Sequence, residues 1–386
     1  MAGPLSGISV IELAGIGAAP YACMMLADMG ADVIRVDRAR AGGGSKRELL
    51  MGNEGMVDRG RRSIAVDLKS AEGIELVLDL VAGADVLVEG YRPQVMERLG
   101  LGPEPCLERN PRLVYARSTG WGQSGPWALT AGHDINYIAL SGALYSLGYP
   151  DRPPTPPLAL LGDYAGGMFT LAGVLAALLD AKNSGLGQVV DSAMADSAIN
   201  LMTGMYGARQ KGLWSERRYS NIGDGASHFY TVYECADGGF ISVGAIEPQF
   251  YRVLLEKVGL EDPDADKQLD EAVWSRLQQK LGSIFKTRAR DEWAALFDGS
   301  DACVAPVLSM AEAHLHPHNV ARQTFIEVEG VVQPAPAPRF DRTPSGTPEA
   351  APSIGANTRD ILQMLGHEGE EIERLIAAGT VYAAGG

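Results

Sequence analysis

Short apolar segments alternate with amphipathic ones through the first part of the chain, and this alternation predicts strands and helices in turn. The predicted elements are strand 8–13, helix 20–29, strand 31–37, helix 71–81, strand 85–89 and strand 113–117. Pro20 suits the first turn of a helix, and Gly30 suits the residue after one. Buried strands that alternate with helices are typical of a parallel, doubly wound α/β sheet.

The second part of the chain changes in character. The predicted elements are a long apolar helix 163–184, strand 189–191, helix 193–204, a hairpin of 229–233 against 240–243, helices within 247–297, and a helical tail 358–378. Asp237-Gly238-Gly239 suits the hairpin turn, and the proline-rich residues 334–338 suit an extended connector. We therefore predict a large domain of residues 1–204 with 335–386, linkers 205–224 and 331–334, and a small domain 225–330.

Composition and charge narrow the class of protein. At 386 residues the chain is longer than a single hydrophobic core usually accommodates, so we expect more than one domain. Its net charge of −15 argues against a nucleic-acid partner. We expect no membrane span, because no run of about 18 apolar residues occurs. The N-terminal residues do not read as a secretion signal, so we expect a cytoplasmic protein. The scattered cysteines are expected to be reduced thiols.

Two acid–base candidates, His133 and Asp163, each lie in a glycine-flanked segment. Histidine titrates near neutral pH and burial raises the pKa of a carboxyl group, so the pair suits a two-base proton transfer. Taken alone, each residue is also consistent with a structural role, Asp163 as the N-cap of the apolar helix that follows. That role is compatible with catalysis, because free backbone N–H groups at a helix N-terminus would stabilise an enolate oxygen.

Basic residues are concentrated in the first quarter of the chain, where they form either a solvated face or a site for a polyanionic small molecule. They are Arg35, Arg38, Arg40, Lys46, Arg47, Arg59, Arg61, Arg62, Lys69, Arg92 and Arg98. Gly15-Ile16-Gly17 after the first strand, with Asp37 further on, is similar to a dinucleotide-binding motif. Pro20 stands where that motif has its third glycine, so a plain strand-to-helix turn near a ligand is the favoured interpretation.

Several segments, in order, resemble the family III CoA-transferase superfamily and, within it, the α-methylacyl-CoA racemases. They are residues 3–7, 12–17, 26–33, 61–69, 85–93, 97–100 and 119–126. The resemblance implies a Rossmann-like CoA-binding α/β domain, a smaller α+β domain and an interlocked homodimer. One departure is Ala159, where the racemase pattern has Asn.

The resemblance also implies roles for particular residues. It makes His133 and Asp163 the two catalytic bases and Glu247, from the partner subunit, the residue that orients the histidine. It places the basic cluster on the phosphates of CoA. The implied CoA and thioester contacts are Arg38, Val66, Asp67, Leu68, Lys69, Gly90, Tyr91, Arg92, Arg98, Gly132, His133, Asp134, Ile135, Asn136 and Tyr137. No metal or redox cofactor is expected, since CoA is part of the substrate.

The favoured function is a racemase of 2-methylacyl-CoA that exchanges the α-proton through an enolate. One alternative is a CoA transferase in which Asp163 attacks the thioester. Others are a non-catalytic acyl-CoA-binding protein and, more distantly, a nicotinamide dehydrogenase. His133 and Glu247 favour the racemase, because the transferases of the superfamily generally lack the histidine. The identity of the acyl chain stays open.

Overall fold

A computed structural model describes residues 3–39 and 55–384 of the chain. By internal contacts the chain forms two compact units. The first comprises residues 1–141, 157–201 and 323–386, and the second residues 142–156 and 202–322. The predicted boundaries differ, since they assign 142–156 to the large domain and 323–330 to the small one. Residues 142–156 contact the rest of the second unit through Arg218, whose guanidinium donates to the carbonyl oxygens of Tyr149 (3.1 Å) and Arg152 (2.9 Å).

The first unit is an α/β structure. Its strands are β1 (Ser9–Leu13), β2 (Asp32–Arg38), β3 (Arg61–Val66), β4 (Val86–Glu89), β5 (Val114–Thr119), β6 (Val189–Ala193), β10 (Phe325–Val328), β11 (Val331–Pro334) and β12 (Val381–Tyr382). Its helices are α1 (Ala18–Asp28), α2 (Ala71–Ala82), α3 (Val95–Arg98), α4 (Pro103–Arg109), α5 (Asp134–Ala139), α7 (Ala165–Ser184), α8 (Met194–Leu201), α15 (Thr358–Met364) and α16 (Gly369–Ala377). Within the described residues, seven strands form one sheet in the order β12-β3-β2-β1-β4-β5-β6. This confirms the predicted parallel α/β sheet. Among the strands that the structure describes, β12 alone pairs antiparallel in this sheet.

Alternate residues of each central strand enter opposite faces of this sheet. Ile11 and Leu13 pack with α2, α15 and α16, whereas Val10 packs on the other face with α1 and α7. Both faces are therefore covered, which explains why residues that point to either face of these strands are mostly apolar and buried. Strand β3 was not predicted, because its first residues, Arg61 and Arg62, interrupt the apolar pattern.

Helix α7, with 20 residues, is the longest helix of the described part of the chain and is strongly apolar. Together with the turn before it, Leu160–Ser184 is long and apolar enough to cross a membrane by length and composition alone. Its inward side contributes Leu171 and Val174 to the core beside α1, as the core helices of soluble proteins also do. Its other side leaves Leu179 exposed.

The second unit contains an antiparallel sheet with helices. Its elements are α6 (Ala143–Ser146), α9 (Thr203–Gln210), β7 (Tyr230–Glu234), β8 (Phe240–Gly244), α10 (Pro248–Val258), α11 (Glu271–Phe285), α12 (Arg290–Phe297), β9 (Val304–Val307), α13 (Met310–Ala313) and α14 (Pro317–Ala321). The predicted hairpin is present as β7 paired with β8, and β9 adds to β8. Aromatic side chains, among them Phe229, Trp274 and Phe285, fill its core.

Candidate active site

The strand order of the first unit determines where a ligand can enter. The chain runs outward from β1 through β2 to β3 and then returns to the other side of β1 with β4. At such a reversal the loops after the two central strands separate and leave a crevice at the carboxyl ends of the strands. The loop after β1 and the loop after β4 line one cavity of about 220 Å³ here.

This cavity brings both predicted bases together. It is lined by residues 16–17, 90–93, 119–121 and 130–133 and by Ala128, Tyr137, Asp163 and Met194. His133 and Asp163 are thus walls of the same space. Gly90, Tyr91 and Arg92, predicted to contact CoA, and Gly132 and Tyr137, predicted to lie at the thioester end, also line it. Their contacts with a substrate stay predictions.

His133 is exposed and lies immediately before α5. Its backbone N–H donates to Oδ1 of Asn136 at 3.1 Å. The hydroxyl of Tyr137 donates to the carbonyl oxygen of Gly132, the residue before the histidine. The first turn of α5 thus fixes the backbone on which His133 is carried, while its imidazole stays open to the cavity.

Tyr137 is held between two glycines and a tryptophan. A Cβ atom at Gly120 would lie 2.2 Å from the tyrosine ring, and one at Gly132 would lie 2.7 Å from it. The ring packs edge-on against Trp121 with centroids 4.8 Å apart. Burial, with a smaller contribution from the charge of Asp163, raises the pKa of Tyr137 to about 12, so the tyrosine stays neutral as a wall of the site.

Asp163 lies in a single turn of π-helix, Leu160–Tyr164, and the helix α7 begins only at Ala165. The predicted N-cap role is therefore wrong. The backbone N–H of Asp163 is also not free for an enolate oxygen, since it donates to Oδ1 of Asp134 at 2.9 Å. The chain enters this turn through Ala159 in the left-handed region, at φ 60°. This conformation favours Gly and Asn over Ala.

The surroundings of Asp163 favour its neutral form. Burial first, and then the negative charge of Asp134, raise the pKa of Asp163 to about 6, while the charge of His133 opposes this. The Asp163 carboxyl group faces Gly17, where a Cβ atom would lie 3.2 Å from it. A carboxyl group whose pKa lies near the range of imidazoles is able to exchange protons at neutral pH.

The predicted CoA residues are partly assembled around the carboxyl ends of β2, β3 and β4. Arg38 and Val66 end paired strands and are neighbours in register. Arg38 is also a neighbour of Tyr91, since its positive charge partly offsets the burial that raises the pKa of the Tyr91 hydroxyl. Asp67, Leu68 and Lys69 form the turn after β3, where the Lys69 N–H donates to Asp67 Oδ1 at 3.1 Å. Arg98 is exposed in α3. The phosphate contacts of these groups stay predictions.

Several arginines assigned to CoA phosphates are instead buried in ion pairs, and this corrects the predicted basic cluster. Arg59 pairs with Asp28 at 2.6 Å, and Arg61 pairs with Glu12 at 2.9 Å. Arg35 pairs with Asp37 at 2.8 Å. Their charges are neutralised inside the protein, so these arginines support the fold rather than a ligand. Arg40, Lys46 and Arg47 lie outside the described residues.

Asp37, the acidic residue of the possible dinucleotide-binding motif, is also occupied by contacts inside the protein. Asp37 is buried and accepts hydrogen bonds from Arg35 Nε (2.8 Å) and Ser63 Oγ (2.6 Å). A residue engaged in this way is not available to a ribose. In the glycine turn of the same motif, the carboxyl group of Asp163 lies against Gly17, where a dinucleotide phosphate would have to approach the backbone.

The remaining predicted residues have separate positions. Ile135 and Asn136 are exposed on α5 and are not among the residues that line the cavity, and Asp134 is buried beneath it. Glu247 belongs to the second unit, where it immediately precedes α10. Its predicted action on the histidine of a partner chain stays a prediction. No three His, Cys, Asp or Glu residues within 3–39 and 55–384 are grouped to hold a metal ion.

Sequence reasoning assigned no catalytic or binding role to several walls of the cavity, notably Gly17, Thr119, Gly120 and Trp121. Gly17 belonged to the turn that was considered for a dinucleotide, so its position after β1 was the available signal. Thr119 ends β5, and Gly120 and Trp121 follow it; these residues come together with the loop of β4 because the two strands are neighbours.

Comparison with known proteins places this geometry in context. A family model described as CoA-transferase family III matches residues 5–358. The alpha-methylacyl-CoA racemase of Mus musculus is 45% identical over 376 residues, which are 96% of this chain and 96% of the mouse protein. The Homo sapiens protein of the same name is 42% identical over 374 residues, again 96% of both chains.

Solved structures show the same fold. The crystal structure of a CAIB/BAIF family protein from Brucella suis superposes with a TM-score of 0.81 at 26% identity. The superposition covers 95% of this chain and 100% of that chain. The mixed α/β architecture with its parallel central sheet is therefore shared with an experimentally determined structure.

Proposed function

The chain belongs to CoA-transferase family III, and from this premise we propose that it is an isomerase that interconverts (2R)- and (2S)-2-methylacyl-CoA thioesters. The likeness to the two mammalian racemases over nearly the whole chain supports this assignment. The observation that carries it is the pair His133 and Asp163 in the wall of one cavity. A racemase needs two such groups, one to remove the α-proton and one to return a proton on the opposite face.

In the proposed reaction, one base removes the α-proton of the thioester and forms an enolate. The conjugate acid of the other base then delivers a proton to the opposite face. The active form of the pair carries one proton, shared between His133 and Asp163. The raised pKa of Asp163, about 6, supports this arrangement because it lowers the cost of moving that proton between the two groups. Arg92 also lines the cavity, and its positive charge favours an enolate oxygen.

The CoA portion extends from this cavity along the carboxyl ends of β4, β2 and β3. Arg38, Lys69, Arg92 and Arg98 supply positive charge for its phosphates and are not among the buried ion pairs described above. Gly90 and Tyr91 form the passage between the cavity and Arg38, since Tyr91 lines the cavity and is a neighbour of Arg38. The substrate brings its own CoA, and the reaction uses no further cofactor.

Two chains form the working enzyme, and Glu247 of the partner subunit orients His133. Exposed apolar side chains of the first unit, such as Met168 and Leu179 on α7, support this proposal, because a surface of this kind is stabilised when a second chain covers it. We expect the protein in the cytoplasm. Analytical ultracentrifugation, together with mixing of His133→Ala and Glu247→Gln chains, tests the arrangement. Mixed dimers recover activity only if the two residues act in trans.

Proton NMR in D₂O tests the reaction itself. Each enantiomer of a 2-methylacyl-CoA is incubated with the protein, without any carboxylic acid as acceptor. The expected result is loss of the α-proton signal and inversion from either enantiomer. His133→Ala and Asp163→Ala should each slow inversion by about 10²–10⁴-fold, whereas Asp360→Asn, an exposed residue of α15, serves as the control.

Other outcomes separate the alternative functions. No exchange, together with transfer of CoA to an added carboxylate, would identify a transferase that uses Asp163 as its nucleophile. Binding of the thioester without exchange or transfer would identify an acyl-CoA-binding protein.

A further inference from the structure

Asp134, the residue after His133, has a side chain that no step of the proposed reaction uses. It is 8% exposed, and a buried carboxyl group must be well compensated. Its Oδ1 atom accepts two backbone hydrogen bonds, from Gly162 at 2.6 Å and from Asp163 at 2.9 Å. One oxygen atom therefore holds the segment that carries the second base.

The two bases are therefore connected through neighbouring residues. One base is His133, and the next residue, Asp134, holds the backbone of the other base, Asp163. His133 precedes α5, and Asp134 is the first residue of this helix. A displacement of Asp134 would move the turn around Asp163 relative to the imidazole. The contact also explains Gly162, because a Cβ atom there would lie 2.4 Å from Asp134 Oδ1. Only glycine allows the turn to approach the carboxyl group this closely.

The same contact acts on Asp163 electrostatically. The charge of Asp134 is the second cause, after burial, of the raised pKa of Asp163. A like charge at short range disfavours ionisation of a carboxyl group. Asp134 is thus able to influence both the position and the basicity of Asp163.

We propose that Asp134 is a positioning residue that acts through Asp163, fixing its distance from His133 and tuning it as a proton donor and acceptor. This inference rests on the proposed racemase function. Asp134 itself does not exchange a proton with the substrate, because it lies beneath the cavity rather than in its wall.

Two substitutions separate position from charge. Asp134→Asn keeps an oxygen that can accept both N–H groups but removes the negative charge. Asp134→Ala removes the acceptor and leaves two backbone donors unpaired. Asp360→Asn is the matched control, since Asp360 is exposed and belongs to α15.

The first readout is the pH profile of kcat/KM for racemisation. If the singly protonated pair is active, the profile is bell-shaped, and its two limbs report the macroscopic pKa values of the pair. Asp163, with a pKa of about 6, contributes to the acid limb. Removing the charge of Asp134 lowers the pKa of Asp163. The acid limb of Asp134→Asn should therefore move to lower pH by about 0.5–1 pH unit, with the maximum rate largely kept. Asp134→Ala should lose about 10²-fold at all pH values, as misplaced groups do.

The second readout does not depend on activity. The ¹³C signal of the Asp163 carboxyl group, identified by its absence in Asp163→Asn, is titrated in wild type and in Asp134→Asn. A lower midpoint in the variant is expected. An unchanged midpoint, or an Asp134→Ala enzyme with the wild-type profile, would overturn the inference. If the wild type exchanges no α-proton, the racemase proposal fails, while the carboxyl titration still decides whether Asp134 tunes Asp163.

Discussion

The ionised form of Asp163 should destabilise the folded protein, so that Asp163→Asn yields an inactive but more stable variant. Burial and the neighbouring Asp134 make the carboxylate less favourable in the folded chain than in the unfolded one. Asn has nearly the same size and carries no charge, so it avoids this cost. Functional groups commonly reduce stability in this way.

The magnitude follows from the pKa of Asp163, which rises from 3.8 to about 6. This difference of 2.2 (6 − 3.8), at about 1.36 kcal/mol for each pKa unit, corresponds to about 3 kcal/mol. The side chain is half-buried, and water screens part of the interaction. We therefore expect Asp163→Asn to raise the free energy of unfolding at pH 8 by about 1–2 kcal/mol.

The dependence on pH has a definite sign. Since the folded state binds the proton of Asp163 more tightly than the unfolded state, the contribution of Asp163 is fully present below pH 3.8 and is lost as the pH rises to about 6. The advantage of Asp163→Asn should accordingly grow between pH 4 and pH 7. Urea denaturation across this range, followed by fluorescence and circular dichroism, measures it.

Asp360→Asn provides the control, because Asp360 is exposed. Its difference from wild type should not grow over the same range. An Asp163→Asn protein no more stable than wild type at pH 8, or one whose advantage does not change with pH, would refute the reasoning. The proposed environment of Asp163 would then be wrong as well.

Three further substitutions test the structure around the site. Ala159→Gly relieves a left-handed residue at φ 60° and should raise the free energy of unfolding by about 0.5–1 kcal/mol, as measured by urea denaturation; an unchanged value would contradict the strain. Gly120→Ala places a Cβ atom 2.2 Å from the ring of Tyr137 and should reduce kcat by about 10²-fold; wild-type kinetics would contradict this packing. Arg59→Met leaves the carboxyl group of Asp28 buried without its partner and should lower the free energy of unfolding by about 3–5 kcal/mol, as measured by thermal or urea denaturation. A decrease below about 1 kcal/mol would show that the pair is not buried.

The fold was predictable from the sequence where the buried residues of an element form a continuous apolar run. Strands β1, β2 and β4 are buried on both faces, so their apolar runs identified them. Strand β3 was not predicted because it begins with Arg61, whose charge is buried through ion pairs with Glu12 of β1 and with Asp58. Strand β12 is two residues long and exists through its pairing with β3, a contact between distant parts of the sequence that no local pattern records.

The sequence was sufficient to predict which residues form the site, but not how their side chains and backbone groups contact one another. His133 and Asp163 were identified from their chemistry and from the resemblance, and they do line one cavity. The predicted N-cap role of Asp163 was wrong because the π-helical turn delays the start of α7. The role of Asp134 was invisible in the sequence, since an aspartate after a histidine gives no sign of the backbone that it will bind.

The sequence by itself determined the alternation of strands and helices, the likeness to an acyl-CoA family and the two acid–base groups. These properties depend on the order and type of neighbouring residues. The tertiary structure decided which basic residues are free, which backbone N–H groups are occupied and which loops meet at the cavity. Each of these depends on strand order and on partners far apart in the chain: Asp28 neutralises Arg59, Glu12 neutralises Arg61, and Asp134 anchors Asp163. The type of a residue fixes the chemistry of its side chain. Whether that side chain is free to bind a ligand depends on contacts that form only when the chain folds.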